Sequence, residues 1–164
     1  MRHNTQLIPA AVTALFVLIA IAGTAIAGPI EDGEAARDRK DYATALRLFR
    51  SLAEQGDAAA QEHLGVMYEN GLGVPEDYAE AVHWFRRAAD QGLKTAQWFL
   101  GTMYQTGYGV QQDYVQAHMW YNLSAAQGWG AAAENRTMLE RAMTPAQVAE
   151  AQKLAREWKP KPER

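Results

Sequence analysis

From Leu7 to Ala22 the chain is apolar and uncharged; after Gly28 apolar and polar positions alternate in helical rhythm. Arg2 and His3 precede the apolar run, and Ala25-Ile26-Ala27 follows it. A basic start, a short apolar run and small residues at alternate positions predict a secretory signal peptide over residues 1–27, cut after Ala27. The run falls short of the ~20 residues that span a bilayer and contains Pro9, which disfavours the alternative of an uncleaved anchor helix. The protein is expected in the periplasm of a bacterium or outside the cell. It would touch the membrane only if this segment stays attached.

Beyond Gly28 the pattern repeats. Asp41-Tyr42-Ala43 returns as Asp77-Tyr78-Ala79 and Asp113-Tyr114-Val115, each time 36 residues on. Glu54-Gln55-Gly56 returns as Asp90-Gln91-Gly92 and Ala126-Gln127-Gly128 at the same offset. So do Leu64-Gly65-Val66-Met67-Tyr68, as Leu100-Gly101-Thr102-Met103-Tyr104, and Gly71-Leu72-Gly73-Val74, as Gly107-Tyr108-Gly109-Val110. Each unit reads as two helices. The first is capped by Asp41 and stopped by Gly56, with Tyr42, Ala45, Leu48, Phe49, Leu52 and Ala53 on one face. The second runs from about Asp57 to Asn70 and buries Ala60, Leu64, Met67 and Tyr68. Ala45, Ala60 and Gly65 are small where the helices cross. The Gly-x-Gly-Val stretch turns the chain into the next unit. With no strand before it and no third glycine, it is not a phosphate-binding loop.

A helix pair cannot bury its apolar face alone, so successive pairs stack. The expected fold is an all-α solenoid, a right-handed superhelix of about three helix pairs. Its units are residues 41–76, 77–112 and 113–143, after a lead-in segment at 28–40 whose Glu31 to Lys40 supply a short helix. The third unit departs from the pattern: Arg136-Thr137-Met138-Leu139-Glu140 stands where Leu-Gly-x-Met-Tyr is expected. Thr144-Pro145-Ala146-Gln147 then opens a final helix with a capping box. Val148, Ala151, Leu154, Ala155 and Trp158 give this helix an apolar face, predicting a cap at 144–159 over the last repeat's open face, with a flexible tail at 160–164.

The period suggests a tetratricopeptide-like array. The residues from Asp77 to Gly92, Ala96 to Tyr104 and Gly107 to Val110 carry it further and resemble the Sel-1-like repeat family, over residues 41 to about 128. That resemblance implies an adaptor that holds proteins or peptides together. It also names a rival. Some exported, cysteine-rich relatives of this family are linked to binding or hydrolysis of β-lactams. The chain has no cysteine, so it lacks their paired cysteines, and with them any disulfide framework, thiolate metal site or cysteine nucleophile.

Charge adds little at the level of the whole chain. Lys and Arg total 16 against 19 Asp and Glu, a formal net charge of −3 that excludes a protein built to neutralise nucleic-acid phosphates. Catalytic groups are sparse. His63, His83 and His118 occupy unrelated repeat positions with no metal-ligand spacing, and Ser51 and Ser124 lie in no nucleophile elbow. No cofactor or metal set is signalled.

The local distribution of charge is more telling. At about 100° per residue, the positions opposite the core of the first helix are Arg47, Arg50, Ser51 and Glu54. Their equivalents are His83, Arg86, Arg87 and Asp90, then Met119, Asn122, Leu123 and Ala126. A solenoid lines such positions up, so the stripe is basic over two units and loses charge toward the cap. Its arginines could grip an acidic or extended peptide through bidentate contacts; the plainer reading is a solvated face. Trp98 replaces Glu62 of the preceding unit and, by the same count, points away from the helix-pair core, a candidate binding aromatic. Phe99 is expected against an adjacent repeat, and Trp129 under the cap. The candidate partner groove is therefore Arg47, Arg50, His83, Arg86, Arg87, Met119, Asn122 and Trp98. The function read from the sequence is an exported, non-catalytic interaction module, with an envelope hydrolase as the alternative.

Overall fold

The computed structural model describes residues 28–161, so the expected signal segment at 1–27 and the last three residues of the expected tail lie outside the described part. It contains eight helices and, among the described residues, no strand: α1 Pro29–Asp38, α2 Tyr42–Glu54, α3 Ala58–Glu69, α4 Tyr78–Asp90, α5 Lys94–Thr106, α6 Tyr114–Ala126, α7 Gly130–Glu140 and α8 Pro145–Glu157. None of them is long and apolar enough to cross a membrane.

Local chemistry sets the helix ends. The Asp77 carboxylate accepts from the backbone N–H groups of Ala79 (2.9 Å) and Glu80 (3.0 Å), and Asp113 does the same for Val115 and Gln116. Asp41 accepts from Thr44 N–H at 3.2 Å. Each cap satisfies donors that the first turn leaves unpaired, worth about 1 kcal/mol. Gly56, Gly92 and Gly128 end the first helices with φ of 93°, 97° and 83°, a region costly to residues with a Cβ.

Successive helices then interlock through one recurring pair. Phe49, Phe85 and Tyr121, spaced 36 residues apart, are fully buried. Each lies on a glycine of the preceding helix: a Cβ at Gly33, Gly65 or Gly101 would stand 2.5, 2.5 and 2.7 Å from the respective ring. α1 is therefore integral to the stack, since its Gly33 seats Phe49 as Gly65 of α3 seats Phe85.

A polar clamp runs beside the aromatic ladder. Gln61, with no exposed surface, donates to the Ala53 carbonyl (3.1 Å) and accepts from Gln91, which also donates to the Gly56 carbonyl (3.0 Å). One unit on, Gln97 donates to Ala89 O and accepts from Gln127, which donates to Gly92 O. Buried amides with their partners in place fix register as well as contact. Both devices stop at α7. Ala133 stands where Gln97 would recur, and Thr137 where Gly101 would.

The last helix takes a course of its own. α8 packs chiefly on α6 and does not stack over α7. Ala155 shares a core with Met119 and Trp120, with Leu123, Leu154 and Trp158 packed against it. The physical reason lies in α6, whose side away from Tyr121 is apolar and offers α8 a burial partner. The outer side of α7 is left open, with Met138 55% exposed.

Candidate functional site

Along the first helices of the units lie two open clefts. Ala43, Leu46, Arg47, Arg50, Ser51 and Glu54 line one of about 310 Å³ on α2. Ala79, Val82, His83, Arg86, Arg87 and Asp90 line the other, about 440 Å³ on α4, with Gly109 and Val110 of the following turn at its edge. The six helix positions of one are those of the other moved by 36 residues. One surface feature thus occurs twice.

Its arginines are positioned. Arg50 donates to the Tyr68 hydroxyl (3.1 Å) and Arg86 to the Tyr104 hydroxyl (2.6 Å), the latter guanidinium lying 5.7 Å from the tyrosine ring centre. Arg87 lies 4.8 Å from the Trp84 ring centre and reaches back to the Ala53 carbonyl at 3.4 Å. His83 meets the edge of Trp84, and Arg47 is exposed on α2. Glu54 and Asp90 place a carboxylate at the far end of each cleft. Each cleft therefore offers cationic forks held beside small apolar patches, an arrangement suited to carboxylates on an otherwise apolar surface.

Three residues of the expected groove lie elsewhere. Met119 is buried because α8 covers this part of α6, and Asn122 is half-buried. Asn122 accepts a hydrogen bond from Arg136 (2.7 Å) instead of facing solvent. Trp98 does not point away from the core. It is half-buried against the cluster of Ala117, Tyr121, Ala132 and Leu139, with Phe99 edge-on at 4.8 Å. Angular counting within one helix pair had left out the neighbouring unit, which supplies that cluster. Trp129 joins the same α6–α7 cluster, not the surface beneath α8. Phe99 stacks on Phe85 of the adjacent helix at 4.7 Å.

The histidines are tied into helix contacts. His63 stacks on Phe49 and pairs through Nε2 with Glu34 (3.0 Å), while Arg37 reaches its Nδ1 (3.2 Å). Burial, followed by the Arg37 charge, holds its pKa below the usual imidazole value. His118, fully buried, pairs with Glu140 at 2.8 Å. Among the described residues no group of three His, Cys, Asp or Glu is placed to hold a metal ion. Ser124 donates to the Lys94 carbonyl.

The sequence reading missed the tyrosine anchors, although their signal was present: Arg50 and Tyr68 recur together as Arg86 and Tyr104. It also noted the Gln-Gly landmark without assigning its glutamine a partner.

Comparison with known proteins fits this architecture. Residues 30–57, 58–93 and 94–129 match the Sel1 repeat, each match opening with the helix that carries a seat glycine. No curated protein matches the chain. Among solved structures it is similar to a protective antigen of uropathogenic Escherichia coli strains displaying an SLR fold, with TM-score 0.76 and 34% identity over 79% of this chain. It is also similar to a Sel1 repeat protein from Oxalobacter formigenes, with TM-score 0.66 and 27% identity over 79% of this chain. The matched part spans 29% of the first of those chains and 56% of the second.

Proposed function

This chain belongs to the Sel1 repeat family, a protein-interaction repeat fold, and on that premise we propose that it is an exported, non-catalytic adaptor that captures a protein or peptide in the clefts of α2 and α4. The observation that carries this reading is the position-for-position recurrence of the clefts, with Arg50 and Arg86 each held by a tyrosine. A helix face serving only solubility has no need of arginines fixed at equivalent places. The acidic balance of the whole chain makes this basic strip a local exception, suited to an acidic partner. Export is supported by the residue pattern before Gly28.

Cross-linking in the periplasm with the intact chain, followed by mass identification of the captured partner, tests the reading. Arg50→Glu together with Arg86→Glu is expected to abolish capture while leaving helical content unchanged. Capture that survives this charge reversal would overturn the role of the clefts. Intact mass of the exported protein, expected to begin at Gly28, tests the signal segment separately.

A further inference from the structure

The clefts of α2 and α4 have a third counterpart on α6, and it is filled. Met119, Asn122 and Leu123 stand there in place of His83, Arg86 and Arg87, and the occupant is α8. α8 runs alongside α6 in the same direction. Gln147 near its start shares a cleft with Asp113 and Tyr114 at the start of α6, and Trp158 just past its end meets Trp120 with ring centres 6.1 Å apart. Beyond Trp158 the chain crosses toward α4, where the Lys161 backbone N–H donates to the Asp90 carbonyl at 2.7 Å.

Building on the reading of these clefts as a partner groove, we propose that each open cleft holds a short acidic α-helix of a partner protein, laid alongside its host helix as α8 lies alongside α6. Equivalent positions line all three places, so the backbone surface that receives α8 recurs at α2 and α4. From Ala79 to Asp90 the host surface is about 16 Å long at ~1.5 Å per residue, the length of roughly three helical turns. Side chains set the difference. Where α6 offers α8 the apolar Met119 and Leu123, the equivalent positions are Arg47 and Ser51 on α2 and His83 and Arg87 on α4, and Arg50 and Arg86 stand in place of Asn122, so the facing positions of the occupant are carboxylates. Tyr68 and Tyr104 hold two of these guanidiniums in place beforehand, which lowers the ordering cost of binding. Glu54 at the far end of the α2 cleft repels a uniformly anionic chain and favours a helix whose charge is confined to one face, while at the end of the α4 cleft Lys161 Nζ lies 3.8 Å from Asp90 Oδ2.

The test is fluorescence anisotropy on the full chain with a lactam-stapled helical probe of about four turns, bearing Glu along one face and Ala elsewhere. Saturable binding is expected. It should weaken roughly tenfold or more with Arg50→Glu plus Arg86→Glu, with a Lys-for-Glu probe, and with an isomeric probe broken by two prolines. Circular dichroism checks that the variant folds, and Arg47→Glu, at an exposed position, serves as a second variant. Equal binding of the proline probe would overturn the helical occupant and leave the groove standing. Binding indifferent to the arginines would overturn the groove as well. Absence of binding by the stapled probe would overturn the proposal. A gain-of-function arm completes the test. His83→Met, Arg86→Asn and Arg87→Leu give the α4 cleft the three α6 side chains that replace its cationic residues, and should create binding for a peptide spanning residues 144–161; failure to do so would overturn the equivalence of the clefts.

Discussion

Gly65→Ala sets two effects of opposite sign against each other. Gly65 lies within α3, where alanine is the better helix former by about 1 kcal/mol. The new Cβ would stand 2.5 Å from two carbons of the Phe85 ring. Carbon atoms rest at about 3.5–4.0 Å, so methyl and ring overlap by ~1 Å. Phe85 cannot yield easily, having no exposed surface and lying flat on Phe99 with an interplanar angle of 3°. Overpacking of this kind costs about 1–3 kcal/mol, and so severe a contact belongs at the upper end of that range. The clash wins, leaving a net loss of about 1–2 kcal/mol, or a fall in Tm of roughly 3–8 °C. Urea unfolding followed by far-ultraviolet circular dichroism measures it, with the midpoint lowered and the m-value unchanged. Phe85→Leu in the same background should relieve the contact, so that the double variant loses about 1 kcal/mol less than the sum of the singles. A Gly65→Ala protein as stable as the parent, or strict additivity with Phe85→Leu, would refute the seat-and-ring account of how the repeats interlock.

Three further outcomes follow from the same structure. His63 is held neutral, its pKa lowered by burial and Arg37, so unfolding takes up a proton below about pH 6.5; this contribution to stability is complete above that pH and declines as pH falls toward the native value. The urea midpoint should therefore drop from about pH 7.5 to about pH 5.5, less so in His63→Gln, and an equal drop in both proteins would rule His63 out. Gln91→Ala strips Gln61 of its donor and Gly56 O of its partner, costing about 1–3 kcal/mol, whereas Gln55→Ala at the equivalent but exposed position stays within about 0.5 kcal/mol; equal effects in denaturation would contradict the clamp. Trp158→Ala should loosen α8 from α6 and speed trypsin cleavage at Lys153 and Arg156, and an unchanged rate would show that Trp158 does not hold the helix down.

Local signals were legible in the sequence. The aspartate caps, the glycine stops and the capping box at Thr144 are decided within four residues, and the 36-residue offset is a count. What resisted reading depends on neighbours distant in sequence. The angle of Trp98 around α5 was countable; the presence of α6 and α7 beside it was not. Met119 is legible as apolar where the preceding units carry Arg47 and His83, yet nothing local says that α8 folds back upon it. A glutamine such as Gln97 reads as surface until two carbonyl-lined helix ends enclose it. In the candidate site the arginines were legible as a stripe, because equivalent positions align whenever repeats stack. Their tyrosine anchors left a signal, the joint recurrence of Arg50 with Tyr68 as Arg86 with Tyr104, but that recurrence alone does not say that the two side chains meet across two helices.

The residues at which α7 breaks the ladders act as a chain terminator does in polymer growth. A stacking partner needs a glycine to seat its aromatic ring and a glutamine to zip its register, and α7 presents Thr137 and Ala133 instead. A second copy approaching end-on brings α1, while its Phe49 already sits on its own Gly33, and α7 offers neither a glycine to seat a ring nor an amide to hold one in phase. The interlocking that assembles the repeats within the molecule is thus denied to encounters between molecules, and open-ended fibre growth by repetition of the same joint has no template to copy.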